Sequence, residues 1–218
     1  MFVGHYGVSF AAKRYAPRAS LGVLFLAVQL LDVLFAIFVS AGIEKLRIVP
    51  GFTAYNPYEL YYMPYSHSLV GALVWALAAG VLMFPLQGRD VGTWIGVAVF
   101  SHFVLDVPMH TPDLPVLGND SPKIGLGLWR HRDLSLAAEL IALGIGFWIY
   151  WRGTHGSGSA RVGPLLFATV LVALTIATPF FPAPPSGEAF ALQALASYVV
   201  LALLAAWADR RVVRPARP

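Results

Sequence analysis

The chain contains no cysteine, which excludes disulfides and thiolate metal ligands, so any metal site has to be built from His, Asp or Glu. It is also poor in charge. Only 12% of its 218 residues are Asp, Glu, Lys or Arg, about half of what a soluble domain carries. With 58% hydrophobic residues and a mean hydropathy of +0.69, that scarcity points to a polytopic membrane protein. The loops are too short to fold alone, so residues 1–218 read as a single integral membrane domain. The N-terminus lacks the order of a secretory signal: apolar residues 2–12 precede the basic Lys13, Arg14 and Arg18, and no cleaved signal is expected. The formal charge of +4 does not call for nucleic acid, because the basic residues gather at the ends of apolar segments, as membrane topology requires.

What the chain does have is apolar runs. Six are long enough to cross about 30 Å of hydrocarbon, over residues 21–42, 69–86, 91–107, 134–151, 162–181 and 189–208. Residues 2–12 are too few, and predict a short embedded or interfacial helix carrying His5. The expected fold is therefore all-α, a membrane helical bundle of about six transmembrane helices plus that short helix. Residues 44–65 read as a loop broken by Pro50, Gly51, Pro57 and Pro64, with Tyr55, Tyr58, Tyr61, Tyr62 and Tyr65 as headgroup anchors or a substrate-facing rim. His131 and His155 sit in polar loops and read as solvated.

Six spans put both termini on one side. That side then holds Lys13, Arg14, Arg18, Arg89, Arg152, Arg161, Arg210, Arg211, Arg214 and Arg217, against Lys45, Arg47, Lys123, Arg130 and Arg132 on the other. Ten against five favours cytoplasmic termini.

Ionisable residues inside the spans carry the functional signal. An acid or base at bilayer depth costs about 2.5–3.5 kcal/mol on insertion scales, so it needs a partner, water or a metal. His102, Asp106 and His110 recur every fourth residue and share one helix face, although Pro108 makes the place of His110 less secure. Asp32 lies about 16 Å up the first span. His67 opens the second, Glu139 lies a turn inside the fourth, and a short helix returning toward Lys13 lifts His5 toward the same level. These candidates come from five segments and fall in one layer, while the other half of the membrane reads as empty of titratable groups. Residues 1–140 form the metal-site half of the domain, and 141–218, whose spans hold no charge, read as scaffold.

Imidazoles and carboxylates without thiols suit Zn first, with Mn or Fe possible. A catalytic zinc takes three protein ligands and lowers the pKa of a bound water toward 7. His5, His67, His102, Asp106 and His110 are the candidate ligands, and Asp32 and Glu139 the candidate catalytic acids. Asp113 reads as a turn residue close enough to support a ligand.

Gly4-His5, Asp32 in the first span, Tyr65-Ser66-His67-Ser68-Leu69 and Ser101-His102-Phe103-Val104-Leu105-Asp106 resemble the motifs of the YdjM-like family of bacterial inner-membrane metal-dependent hydrolases. That family has a Thr-His near its start, a Thr-His-Ser-Leu before a span and a His-x-x-x-Asp within one. The resemblance covers residues 1–140. Gln29-Leu30-Leu31-Asp32 stands where the family has Pro-Asp-x-Asp, and Pro64-Tyr65 where it has Arg-Gly. What it implies is a reaction class, metal-dependent hydrolysis, and no substrate; the shared depth of the polar residues within the membrane points to a lipid or lipid-linked ester or phosphoester, cleaved through a metal-activated water. From the residues alone, an ion- or proton-coupled transporter and a non-enzymatic scaffold with a structural metal stay as alternatives.

Overall fold

A hydrocarbon solvent offers the backbone no hydrogen bonds, so long apolar runs satisfy themselves as helices. The computed structural model describes residues 1–154, 158–210 and 212, and in it the runs form α4 (Leu69–Gln87), α5 (Arg89–Met109), α6 (Arg132–Arg152), α7 (Gly158–Ala177) and α8 (Gly187–Asp209). A 3-10 turn, Thr178–Phe180, prolongs α7, and each of the five is long and apolar enough to cross a membrane. The protein is an all-α, multi-pass membrane bundle. His155, Arg211, Arg214 and Arg217 lie outside the described residues.

The expected continuous span over 21–42 is broken. It consists of α2 (Leu21–Val28) and α3 (Leu30–Ser40), bent by 57° at Gln29. No Pro or Gly sits at the break; tertiary hydrogen bonds hold it instead. Gln29 is fully buried, and its side-chain amide donates to the Phe2 carbonyl at 3.2 Å. The Val28 carbonyl lies 2.7 Å from Nδ1 of His102. An interrupted helix is tolerated at membrane depth only where other groups take up the freed backbone, and here His102 takes up the Val28 carbonyl.

The short N-terminal helix is a 3-10 turn, Val3–His5, leading into α1 (Tyr6–Tyr15). It is embedded and not interfacial: Tyr6 and Phe10 have no exposed surface, and Phe10 stacks edge-on to Phe25 and Phe147. It gets there because glycine lets backbones touch. A Cβ on Gly146 of α6 would stand 1.8 Å from the Gly7 carbonyl oxygen, and one on Gly7 would stand 2.1 Å from that of Ala142.

The two long connections carry strands that sequence patterning did not predict. β1 (Lys45–Ile48) and β2 (Tyr58–Tyr62) pair antiparallel, and β3 (Leu114–Pro115) pairs with β4 (Lys123–Ile124). Of the five tyrosines, Tyr55 is buried while Tyr65 is 50% exposed. α5 continues through Pro108 to Met109, and just beyond it the His110 N–H still donates to the Asp106 carbonyl at 2.9 Å. The opposite end of the bundle is not empty, as expected, but holds a buried ion pair, Lys13 to Asp209 at 3.2 Å, with the Tyr150 hydroxyl donating to Asp209 at 2.7 Å.

The α1–α6 contact sets a stability prediction. Gly146→Val should lower the melting temperature in detergent by several degrees, since overpacking costs about 1–3 kcal/mol. Gly144→Val on the same helix, where a Cβ meets nothing within 4 Å, should leave it unchanged.

Candidate metal centre

Asp106 is the hub. It projects from α5, is 1% exposed, and turns its two oxygens to different neighbours. Oδ1 lies 3.2 Å from His5 Nε2 and 2.7 Å from the Met1 amino group. Oδ2 lies 3.1 Å from His102 Nε2, 3.5 Å from His110 Nε2 and 3.9 Å from His67 Nε2. Asp32, one turn beyond the break at Gln29, places Oδ1 3.3 Å from His67 Nε2 and 3.5 Å from His102 Nε2. Its Oδ2 accepts from the Tyr198 hydroxyl at 3.0 Å. The imidazoles of His5 and His102 stack at 3.8 Å. The structure thus brings His5, Asp32, His67, His102, Asp106 and His110 together from four segments.

The outward nitrogens of three of these histidines decide what the inward ones can do. His102 Nδ1 meets the Val28 carbonyl, which only accepts. His110 Nδ1 meets Asp113 Oδ1 at 2.9 Å, another acceptor. His67 Nδ1 lies 2.8 Å from Ser66 Oγ, whose own hydrogen goes to Glu44 Oε2 at 2.5 Å, so this oxygen accepts too. Each Nδ1 therefore carries the proton, and in the neutral ring each Nε2 is a bare lone pair. Those lone pairs point at two carboxylates, which are also acceptors. Among the described residues His102 Nε2 and both His5 nitrogens are buried without a properly directed hydrogen bond.

Acceptors facing acceptors need a proton or a metal ion between them, and only on the Oδ1 side of Asp106 does the Met1 ammonium, 2.7 Å away, already supply positive charge. In a tetrahedral site with ligands about 2.0–2.1 Å from the ion, neighbouring ligand atoms stand roughly 3.3 Å apart, and the separations of 3.1–3.9 Å around Asp32, His67, His102 and Asp106 bracket that value. His5, His102 and Asp106 form one possible ligand triad, and Asp32, His67 and His102 another. His110 belongs to the same field, with its Nε2 3.5 Å from Asp106 Oδ2 and its Nδ1 2.9 Å from Asp113 Oδ1.

Glu139 is placed differently from the other candidates. Its oxygens accept the backbone N–H of Phe2 at 2.9 Å and of Gly4 at 2.7 Å, and the Tyr55 hydroxyl at 3.4 Å. Burial above all, then Glu139 itself, pushes the Tyr55 phenol pKa up, so it stays a neutral donor. Glu139 thereby fixes the turn that presents His5. His131 is exposed.

Two contributors escaped sequence reasoning. Glu44, just past the end of α3, is 1% exposed and also accepts the N–H groups of Tyr65 and Ser66, at 2.8 and 2.9 Å. Tyr198 lies in α8, one of the two helices expected to be scaffold. Glu44, at the head of a loop, carried no signal of its own, and neither did a tyrosine in a span. Ser68, not Ser66, caps α4, accepting from Gly71 N–H at 2.9 Å, which leaves Ser66 free to serve His67.

The cluster forms the floor of a cavity of about 370 Å³, within the usual range for small-molecule sites. Asp32, His67, Asp106 and His110 are at its polar end; Phe35, Leu60, Met63 and Phe190 are among its apolar walls. Trp129 closes one side, its ring 4.0 Å from that of His110. The chain matches no family model, no curated protein and no solved structure.

Groups that orient metal-bound histidines commonly matter 10- to 100-fold in affinity. Ser66→Ala and Asp113→Ala should each weaken zinc binding by about that factor in competition titrations against a chromophoric chelator, with helix content by circular dichroism unchanged.

Proposed function

We propose that the chain is a membrane-embedded, metal-dependent hydrolase of the bacterial inner membrane, with cytoplasmic termini, acting on a lipid or lipid-linked ester or phosphoester. The observation that carries this reading is the convergence of imidazole nitrogens on a buried carboxylate, Asp106, and a partly exposed one, Asp32, in the lining of a largely apolar cavity. The donor set fits a divalent cation of borderline softness, zinc before manganese or iron. His67, His102, Asp106 and His110 would hold it, with His5 beside the second oxygen of Asp106. When bound, such an ion polarises a carbonyl or phosphoryl oxygen and lowers the pKa of a coordinated water toward about 7.

The chain's own groups supply the rest. Asp32, whose side chain is 19% exposed to the cavity and which the Tyr198 hydroxyl orients, takes the proton of the attacking water. The water oxygen bonds to the acyl carbon or phosphorus, the bond to the leaving alcohol breaks, and the proton passes from Asp32 to that alcohol's oxygen. The walls exclude other water, which strengthens each of these charge interactions. The sequence resemblance to the YdjM-like hydrolases supports the same reaction class, and the basic excess on the terminus side supports the orientation.

Elemental analysis of protein purified with zinc supplied should give stoichiometric metal in the wild type, none in His102→Ala or Asp106→Asn, and retention in Asp32→Asn. In nanodiscs, mass spectrometry should detect released fatty acid or headgroup alcohol, with kcat lower by about 100-fold or more in Asp32→Asn. Metal-free wild-type protein, or proton flux in vesicles that disappears in Asp106→Asn, would overturn the reading in favour of a relay.

A further inference from the structure

The cavity above the metal cluster is not walled by the first five helices alone. One stripe of α8, Gln193, Ser197, Val200 and Leu201, and the facing positions Leu174 and Thr178 at the far end of α7 line it as well. Gln193 and Ser197 are exposed and Val200 is 53% exposed, so the same residues that line the interior also face outward. α7 and α8 meet closely at their other ends, where a Cβ on Gly163 would stand 3.0 Å from the Ala208 carbonyl oxygen. Toward the cavity both helices contribute lining residues, and those of α8 are solvent-exposed as well. Both helices are long and apolar enough to cross the membrane, so an opening between these residues faces hydrocarbon.

The rim chemistry suits that solvent. The Ser197 hydroxyl donates to the Gln193 carbonyl of its own helix at 2.8 Å, so it presents no unmet polar group to the gap. Behind it Phe35, Leu60 and Phe190 line the cavity together with Tyr55, Asn56 and Tyr58, alongside the carboxylates and imidazoles. A ligand that matches this lining has a hydrocarbon chain at one end and a polar, hydrolysable linkage at the other, and a bilayer lipid is the one such molecule that surrounds the opening at high local concentration.

We infer that the space between α7 and α8 is a lateral portal through which one acyl or isoprenyl chain of a membrane lipid passes from the bilayer into the cavity, bringing the bond next to that chain's polar end to the metal cluster. The inference deepens the hydrolase reading and takes its polar end from it, but the portal itself is testable without turnover. Ser197 and Gln193 are then the positions that set which chains are admitted. The two helices expected to be mere scaffold become the substrate-facing part of the molecule.

The test uses the full-length protein in nanodiscs of phosphatidylethanolamine and phosphatidylglycerol, followed by native mass spectrometry after transfer to detergent, to count retained lipid. Ser197→Trp and Gln193→Trp should each reduce retained lipid at least fivefold while leaving metal stoichiometry and melting temperature unchanged. Leu192→Trp, on the same helix, 65% exposed and outside the cavity lining, should retain lipid as the wild type does. His102→Ala should lose metal and keep lipid. Lipid retention that is equal in all four variants, or no retained lipid in the wild type, would overturn the portal. Lipid retention that depends on Ser197 and Gln193 in a protein that binds no metal would sustain the portal and overturn the hydrolase.

Discussion

A carboxylate at 1% exposure inside an apolar helix bundle is the constraint on which the other parts of the site depend. Asp106 cannot be left uncompensated at membrane depth, and compensation must come from several directions because both oxygens are turned inward. The chain supplies it by convergence: the Met1 ammonium 2.7 Å away, a histidine four residues earlier on the same helix, another at the helix end, one in the loop before α4, and a short N-terminal helix that brings in His5. α1 can make that delivery only because Gly7 and Gly146 allow its backbone to lie directly against α6, and only because Glu139 accepts the first N–H groups of the turn that carries His5. The glycine contact, the glutamate brace and the buried aspartate form one chain of cause.

The break at Gln29 belongs to the same chain. A straight helix over 21–42 would keep the Val28 carbonyl in its ladder, and His102 would lose the acceptor that fixes its tautomer. Bending the span by 57° hands the carbonyl to His102 and swings Asp32 toward His67. Broken helices in membranes expose backbone groups where they are useful, and pay for themselves only when those groups find partners. Here the partner is a ligand residue.

How much of this was readable in advance divides along physical lines. The spans were legible because hydrocarbon thickness imposes length and composition directly. The polar layer was legible because the cost of each ionisable residue makes it conspicuous, and because rise per residue converts sequence position into depth. His102, Asp106 and His110 declared their common face through their spacing. The break at Gln29 was not legible, since neither Pro nor Gly marks it and its cause lies 74 residues away in His102. Tyr198, 166 residues from Asp32, was hidden for the same reason, and Glu44 was masked by its place at the head of a loop. The hairpin escaped because its strands, Lys45–Ile48 and Tyr58–Tyr62, mix charge with aromatics and show no clean alternation.

The geometry also limits how the cluster can be charged. With each Nδ1 of His67, His102 and His110 given to an acceptor, every Nε2 holds either a proton or a metal-directed lone pair toward Asp32 Oδ1 and Asp106 Oδ2, while Tyr198 and the Met1 ammonium serve the other two oxygens. Protons and a divalent cation therefore compete for the same atoms, and binding one releases the other. A divalent ion held there would replace several imidazolium charges. Because it would bind the folded arrangement and find no comparable site in the unfolded chain, its binding would add to stability by about 2.7 kcal/mol at a hundredfold excess over its Kd. The residues that position the ligands are thus the residues that hold the bundle closed around them. That is why Glu44, Asp113 and the Val28 carbonyl, none of which faces the cavity floor, belong to the site as fully as the histidines they orient.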